Sequence, residues 1–228
     1  MLKNLFFQWP VASSWPPAEK FSRRQNSALA KSKAVSARAE MIGLTTKGKL
    51  NMKTTNTKRM VTAAMIAAAY TAVSLVLLPL SFGPVQVRVS EALTLLTVFS
   101  PTAVTGVTLG CALTNAIGLA TGANIIGIPD IIFGTAATLV AAVLSWKLRK
   151  IRFCGLPIAS CLPPVIVNAL VIGGELTYVG SAGFPLPIFL INAAQVALGQ
   201  IASCCVIGLL MVYFMEKKGL DKKIFAER

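Results

Sequence analysis

Four ionisable residues lie inside or at the ends of apolar runs, in a chain that is almost continuously apolar from Met60 to Phe214. They are Arg88, Glu91, Asp130 and Glu175. A charged side chain near the centre of a spanning helix costs about 2.5 to 3.5 kcal/mol, so it usually faces a bundle interior where a partner or ligand offsets that cost. These residue types therefore indicate a polar pocket that binds its ligand by charge pairing and hydrogen bonding. Placement at the lipid headgroups, where no partner is needed, stays open for each of them.

The composition is typical of a membrane protein. Hydrophobic residues make up 55% of the chain and charged residues 13%, against roughly 25% charged residues in soluble domains. The formal net charge is +14, and the basic residues lie mainly in the first 59 residues, at Lys147–Arg152 and after Glu216. This distribution follows the positive-inside rule and indicates an anionic leaflet as partner. Nucleic acid is not expected, because no aromatic residues interleave with the basic ones.

The residues needed for catalysis or metal binding are missing from the sequence. The chain has no histidine, and Asp130 is its one intramembrane aspartate, so neither a nucleophile with a base nor an aspartate pair is available. The five cysteines lack metal-ligand spacing and are expected to pack as small residues. No Walker sequence is present. We expect no enzyme activity, metal or cofactor.

Apolar length and loop charge together predict the number of spans. A helix needs about 20 residues to cross a bilayer core of roughly 30 Å, and the apolar stretch Ala92–Thr121 exceeds this length. A turn at Pro101 divides it and places every basic cluster on the cytoplasmic side. The sequence thus predicts an all-α bundle of six transmembrane helices with both termini cytoplasmic. The predicted spans are Met60–Leu80, Val85–Phe99, Thr102–Thr121, Pro129–Trp146, Leu156–Gly174 and Pro187–Met215.

Three regions are predicted along the chain: a leader over residues 1–57, a transmembrane domain over 58–216 and a basic cytoplasmic tail over 217–228. The leader is basic, Ser- and Ala-rich, and is expected to be disordered because it cannot form a core. It resembles a transit peptide in composition. The alternative, which we favour, is that translation starts at Met52.

The segment before Glu91 is expected to lie beside the pocket. Pro84–Val89 alternates like an extended strand, and Ser90 is a candidate N-cap for a helix that begins at Glu91. Extended backbone at membrane depth is tolerated when it lines a cavity or is buried in protein. This places Arg88 and Glu91 at the cavity, although a local Arg88–Glu91 pair at the interface is an equally valid interpretation.

The other polar residues fall at a similar depth on this topology. Asp130 begins the fourth predicted span and Glu175 ends the fifth, while Asn115 and Asn168 lie one to two turns inward from outer ends. Asp130 alone is also explained as a helix N-terminal charge. Glu175 would place a negative charge at the C-terminus of a helix, where the helix dipole disfavours it. Because the helix itself does not explain this carboxylate, Glu175 is the strongest candidate for ligand contact.

Small residues at a spacing of four predict two close helix contacts. Ala64 and Ala68 form one such face on the first span, and Gly106 and Gly110 form another on the third. Packing within the chain explains both, but the alanine-rich first span is also suited to receive a partner helix.

Five segments resemble the QueT family of queuosine-precursor transporters. They are Val87–Leu93, Gly110–Asn115, Asp130–Thr135, Leu162–Ala169 and Gly174–Leu176, and the likeness covers about Met52 to Gly219. The family consists of substrate-binding S components of energy-coupling factor transporters. The resemblance implies a multi-pass cell-membrane protein that captures a 7-deazaguanine-type precursor from outside. It would work with a transmembrane T component, contacted through Ala64 and Ala68, and with two ATPases.

A guanine-like base suits the candidate residues chemically. Its adjacent N–H donors can pair with one carboxylate in a bidentate manner, and Glu175 fits that role. Asp130 or Glu91 would pair with an aminomethyl cation, and Asn115, Asn168 or Arg88 would donate to the exocyclic oxygen. Two alternatives remain: an S component for a different vitamin, and a proton-coupled secondary carrier that uses Glu91, Asp130 and Glu175.

Overall fold

The structure is a computed structural model that describes residues 18–81, 87–181 and 183–225. Within these ranges it contains helices and no strand, which confirms the predicted all-α class. Four segments depart from α-helical geometry. Three of them are the 3-10 helix Val89–Val98 and the π-helical segments Asp130–Gly134 and Ile201–Gly208. The fourth is a short 3-10 turn, Ile158–Cys161. The α-helices are α1 (Ala18–Val76), α2 (Leu78–Ser81), α3 (Thr102–Ala120), α4 (Thr135–Leu148), α5 (Leu162–Gly180), α6 (Leu186–Gln200), α7 (Leu209–Lys217) and α8 (Leu220–Ile224).

The chain divides into two compact units, Met1–Thr55 and Asn56–Arg228. The described part of the first unit, from Ala18 onward, is helical. The abundance of Ala, Lys and Arg favours helix here even without a core. The boundaries and the disorder predicted for residues 1–57 stay predictions. The described side chains of this unit, between Ser27 and Met41, are exposed. Residues 1–17 lie outside the described residues, and the predicted start at Met52 stays a prediction.

The described part of the second unit contains five helical stretches long and apolar enough to span a membrane, so the protein is a multi-pass membrane protein. The predicted second span is instead the ten-residue 3-10 helix Val89–Val98. At about 2.0 Å per residue it covers about 20 Å, less than the bilayer core. The six-span count and the cytoplasmic termini remain predictions. The five stretches are Asn56–Val76, Thr102–Ala120, Asp130–Leu148, Ile158–Gly180 and Leu186–Lys217.

The 3-10 helix lies at the centre of the second unit. Eight of its ten residues are buried, and it contacts α3, α4 and the π-helical segment Ile201–Gly208. The predicted turn at Pro101 is present, because this helix ends at Val98 and α3 begins at Thr102. The predicted N-cap is wrong. The helix begins at Val89, and the Ser90 hydroxyl accepts a hydrogen bond from the Ser74 hydroxyl at 2.6 Å.

Glycines on α3 allow close contact with α1. A Cβ at Gly106 would lie 2.8 Å from the Ile66 Cβ, and a Cβ at Gly110 would lie 2.7 Å from the Tyr70 Cβ. The predicted Gly106–Gly110 face is therefore a packing face within the chain. Ala64 and Ala68 are exposed on the other side of α1.

α5 extends further than the sequence indicates. Gly173 and Gly174 suggest a helix end, but α5 continues to Gly180. Gly173 instead permits close approach to α6, because a Cβ there would lie 2.7 Å from the Ala193 Cα. Glu175 thus lies within α5, more than one turn before its end, which corrects its predicted place at a helix C-terminus.

Candidate substrate-binding site

Arg88 and Asp130 form a buried ion pair between the segment before the 3-10 helix and the start of the fourth span. The Arg88 Nη2 lies 2.9 Å from the Asp130 Oδ2, and their side chains are 7% and 0% exposed. The Asn124 Nδ2 donates to the same Oδ2 at 2.9 Å. The pair thus offsets the cost of two charges in an apolar bundle.

A π-helical turn gives Asp130 its position. The segment Asp130–Gly134 is π-helical, which changes the hydrogen bonding of its first carbonyls. The Asn115 Nδ2 on α3 donates to the Asp130 backbone carbonyl at 2.8 Å. A Cβ at Gly134 would clash with the Asp130 Oδ1. Glycine at this position therefore leaves room for the carboxylate to lie against the helix backbone.

Glu91 lies in a second polar cluster deeper in the unit. Its carboxylate accepts hydrogen bonds from the hydroxyls of Tyr70 at 2.8 Å, Thr94 at 2.9 Å and Thr138 at 3.2 Å. Glu91 is completely buried. With three donors already bound, this carboxylate joins α1, the 3-10 helix and α4. Its predicted contact with substrate stays a prediction.

Cys111 on α3 connects the two clusters. Its sulfur accepts from the Thr138 hydroxyl at 3.3 Å and from the Asn115 Nδ2 at 3.7 Å. A chain of buried polar contacts therefore runs from Glu91 through Thr138, Cys111 and Asn115 to Asp130. Such connected networks fix side-chain orientation in a low-dielectric interior.

Glu175 lines a separate cavity of about 260 Å³ together with Pro129, Phe133 and Tyr178. Pro129 directly precedes Asp130, so the cavity borders the Arg88–Asp130 pair. Both Glu175 oxygens are buried, and neither has a hydrogen-bond partner among the described residues. Buried polar atoms are normally paired, so this carboxylate is an acceptor without a donor, next to a cavity whose described lining is otherwise apolar.

Most of the buried hydrogen-bond acceptors that lack a partner belong to the predicted site residues. Seven buried side-chain oxygens lack a hydrogen-bond partner in the described part of the chain, and five of them belong to four candidates. They are Asn115 Oδ1, Asp130 Oδ1, Asn168 Oδ1 and both Glu175 oxygens. The site therefore offers hydrogen-bond acceptors and favours a ligand rich in N–H donors.

Of the six predicted residues, the structure brings Arg88, Asp130 and Asn115 into direct contact. Glu175 borders them, whereas Asn168 lies about two turns earlier on α5 and Glu91 lies in the deeper cluster. Across the described residues, no three His, Cys, Asp or Glu side chains form a group that could hold a metal ion.

Sequence reasoning missed several residues that position the site. Asn124 orients Asp130, and its own Oδ1 accepts from the backbone N–H of Ile126 and Gly127. The Asn-x-x-Gly pattern is a turn signal and marks this loop as structured. Tyr70 and Thr138 could have been noticed only as hydroxyl-bearing residues within otherwise apolar spans, which is a weaker signal of a role in the site.

Comparison with known proteins identifies the family. The QueT transporter profile matches residues 60–217. The chain is 34% identical over 91 residues to the queuosine precursor transporter QueT of Lactococcus lactis subsp. cremoris (strain MG1363). The matched stretch covers 39% of this chain and 50% of that protein. The chain thus spans about half the length of this curated relative. No solved structure matches the chain significantly. Because the profile covers most of the membrane-spanning unit, the chain belongs to the QueT transporter family, a family of transporters and not of enzymes.

Proposed function

We propose that the chain is the substrate-capture S component of an energy-coupling factor importer and that it binds a queuosine precursor of the 7-deazaguanine type. The observation that carries this proposal is the unpaired Glu175 carboxylate in a cavity beside the Arg88–Asp130 pair. The name of the Lactococcus relative, a queuosine precursor transporter, supports the choice of ligand.

Hydrogen-bond complementarity supports a guanine-like ligand. The Watson-Crick edge of such a base presents adjacent N–H donors, and a carboxylate accepts two of them in parallel. Glu175 supplies that acceptor pair, and the rings of Phe133 and Tyr178 line the same cavity. These rings would stack on the planar base.

The excess of acceptors favours a precursor with further donors. Asp130 Oδ1 and Asn115 Oδ1 are both unpaired in the described structure. An aminomethyl group carries a positive charge and three N–H donors, so it would bind these oxygens strongly. A neutral precursor without the amine would leave them unsatisfied, at a cost of about 1 to 3 kcal/mol each.

Transport would be powered by partner proteins. We infer a transmembrane T component and two ATPases from the resemblance to the S components of energy-coupling factor transporters. The sequence itself contains no phosphate-binding loop, which is consistent with ATP hydrolysis on partner subunits. The exposed Ala64 and Ala68 on α1 would let a partner helix approach closely.

Calorimetry on the purified protein tests the ligand directly. The series is guanine, queuine, the aminomethyl and nitrile 7-deazaguanines, biotin and thiamine. Binding of the deazapurines, tightest for the aminomethyl compound, is expected. Binding of a vitamin with no response to any deazapurine would overturn the substrate. Uptake that persists in cells lacking the T component would instead favour a proton-coupled carrier.

A further inference from the structure

A second cavity, of about 510 Å³, lies at the ends of three helices away from the candidate substrate site. It is formed where the 3-10 helix, α4 and α7 end. Arg149 and Lys150 follow directly after α4, Arg152 lies in the loop beyond them, and Glu216 is in the last turn of α7. The described lining residues are Val98, Arg149, Lys150, Arg152 and Glu216.

The charges of this cavity do not balance. Three cationic side chains face one carboxylate, and that carboxylate is already engaged: Arg152 binds both Glu216 oxygens, at 2.7 and 3.1 Å. Two positive charges, those of Arg149 and Lys150, therefore remain without a carboxylate partner among the described lining residues. The cavity is suited to an anion.

The Arg149 side chain is held in position by Trp146. Its Nη1 donates to the Trp146 carbonyl at 2.8 Å, and its guanidinium carbon lies 4.5 Å from the centroid of the indole ring. Stacking on an aromatic ring leaves the remaining N–H groups of an arginine in place for a planar or tetrahedral anion. The cavity thus contains an oriented donor as well as net charge.

The surroundings are those of a membrane interface. The cavity adjoins the end of a spanning helix, and tryptophan is enriched at this depth. Two apolar side chains in the following loop are exposed, Ile151 at 52% and Phe153 at 70%. The positive-inside rule assigns this basic end to the cytoplasmic leaflet, which carries anionic lipids. An occupant with a phosphate head and apolar tails fits both features.

We propose that this cavity binds the phosphate group of an anionic phospholipid from the inner leaflet. Its oxygens accept hydrogen bonds from Arg149 and Lys150. The acyl chains run along Ile151 and Phe153, and Arg152 is held by Glu216 at the rim. The proposal is independent of the transported substrate, because none of these residues contributes to the Glu175 cavity.

The test uses the full chain purified in a neutral detergent. Dioctanoyl phosphatidylglycerol, dioctanoyl phosphatidylcholine and inorganic phosphate are titrated separately, and binding is measured by native mass spectrometry and thermal unfolding. The double variant Arg149→Gln/Lys150→Gln should bind phosphatidylglycerol about 25-fold more weakly, since each basic residue near an anionic lipid contributes about fivefold. The control variant Lys222→Gln/Lys223→Gln removes the same charge from α8, outside the cavity, and should change affinity less than twofold.

Selective binding of phosphatidylglycerol that depends on Arg149 and Lys150 supports the site. Equal binding of phosphatidylcholine, or an equal loss in the control variant, would mean that general charge or detergent exchange explains the effect. Equal stabilisation by inorganic phosphate would show recognition of the free anion and overturn the lipid assignment. The unfolding temperature of each variant without added lipid reports whether it is folded.

Discussion

The Arg88 guanidinium and the Asp130 carboxylate, 2.9 Å apart and both buried, join two segments that are 42 residues apart in sequence. The contact fixes the entry to the 3-10 helix against the π-helical start of the fourth span. Pro129, the residue before Asp130, lines the Glu175 cavity, so the pair anchors the backbone next to one wall of the candidate substrate site.

Asp130→Asn should destabilise the protein by about 3 kcal/mol, since it removes the buried carboxylate that pairs with the Arg88 Nη2. Thermal unfolding in detergent measures the loss. The double variant Arg88→Gln/Asp130→Asn should be more stable than the sum of the two single changes, because it removes both charges. Strict additivity would contradict a direct energetic coupling between the two side chains.

Gly134→Ala should displace the Asp130 carboxylate, because the new methyl group would occupy the place of Oδ1 and approach the Asn115 Nδ2 to 3.1 Å. We expect a loss of about 1 to 3 kcal/mol in stability, the usual cost of overpacking, together with weaker ligand binding. Gly180→Ala is the matched control, because no atom lies within 4 Å of its Cβ position. If the two variants behave alike, the tight fit at Gly134 does not position Asp130.

Some of this arrangement was predictable from the sequence. The apolar runs fixed the approximate spans, and the rarity of intramembrane charge singled out Arg88 and Asp130, which the structure brings into contact. The pairing itself was not predictable, because Glu91 is nearer to Arg88 in sequence and a local pair was an equally good interpretation. The hydroxyls of Tyr70 and Thr138, which bind Glu91, come from distant helices.

Local signals also misled at two places. Gly173–Gly174 suggested a helix end, but tertiary contact with Ala193 explains the first glycine and the helix continues to Gly180. The segment Val89–Val98 is apolar enough for an α-helical span, yet it is a 3-10 helix. Helix type depends on how neighbouring helices enclose the segment, which periodicity does not report.

The predicted orientation rests on loop charge, and thiol labelling tests it. In a cysteine-free background, Ser181→Cys should react with an impermeant maleimide added to intact cells, whereas Lys150→Cys should react only after permeabilisation. The reason is that basic loops are retained on the cytoplasmic side. Labelling of position 150 from outside would reverse the orientation and move the Arg149–Lys150 cavity to the outer leaflet.

Tryptophan substitutions on α1 separate folding from partner docking. Ala64→Trp and Ala68→Trp change exposed positions, so ligand binding by the isolated protein should be retained while association with the T component and uptake fall. Ala67→Trp is the contrasting control, because Ala67 is 5% exposed and its carbonyl lies against Gly110. That variant should lose stability. Normal uptake by both exposed variants would show that this face of α1 does not contact the T component.

Glu175→Gln tests the residue on which the proposed substrate depends. The amide keeps the shape of the side chain but loses its charge and presents an NH2 group where the base needs an acceptor. Affinity for the deazapurine should fall by about 1.5 to 3 kcal/mol, or roughly 10- to 150-fold, measured by calorimetry. Glu40→Gln changes an exposed carboxylate in the first unit, so it is the charge-matched control and should leave affinity unchanged.

The unfolding temperature separates a binding effect from a folding effect. The Glu175 variant should be at least as stable as the parent, because it removes a buried charge that lacks a hydrogen-bond partner. Unchanged affinity in this variant would remove Glu175 from the site.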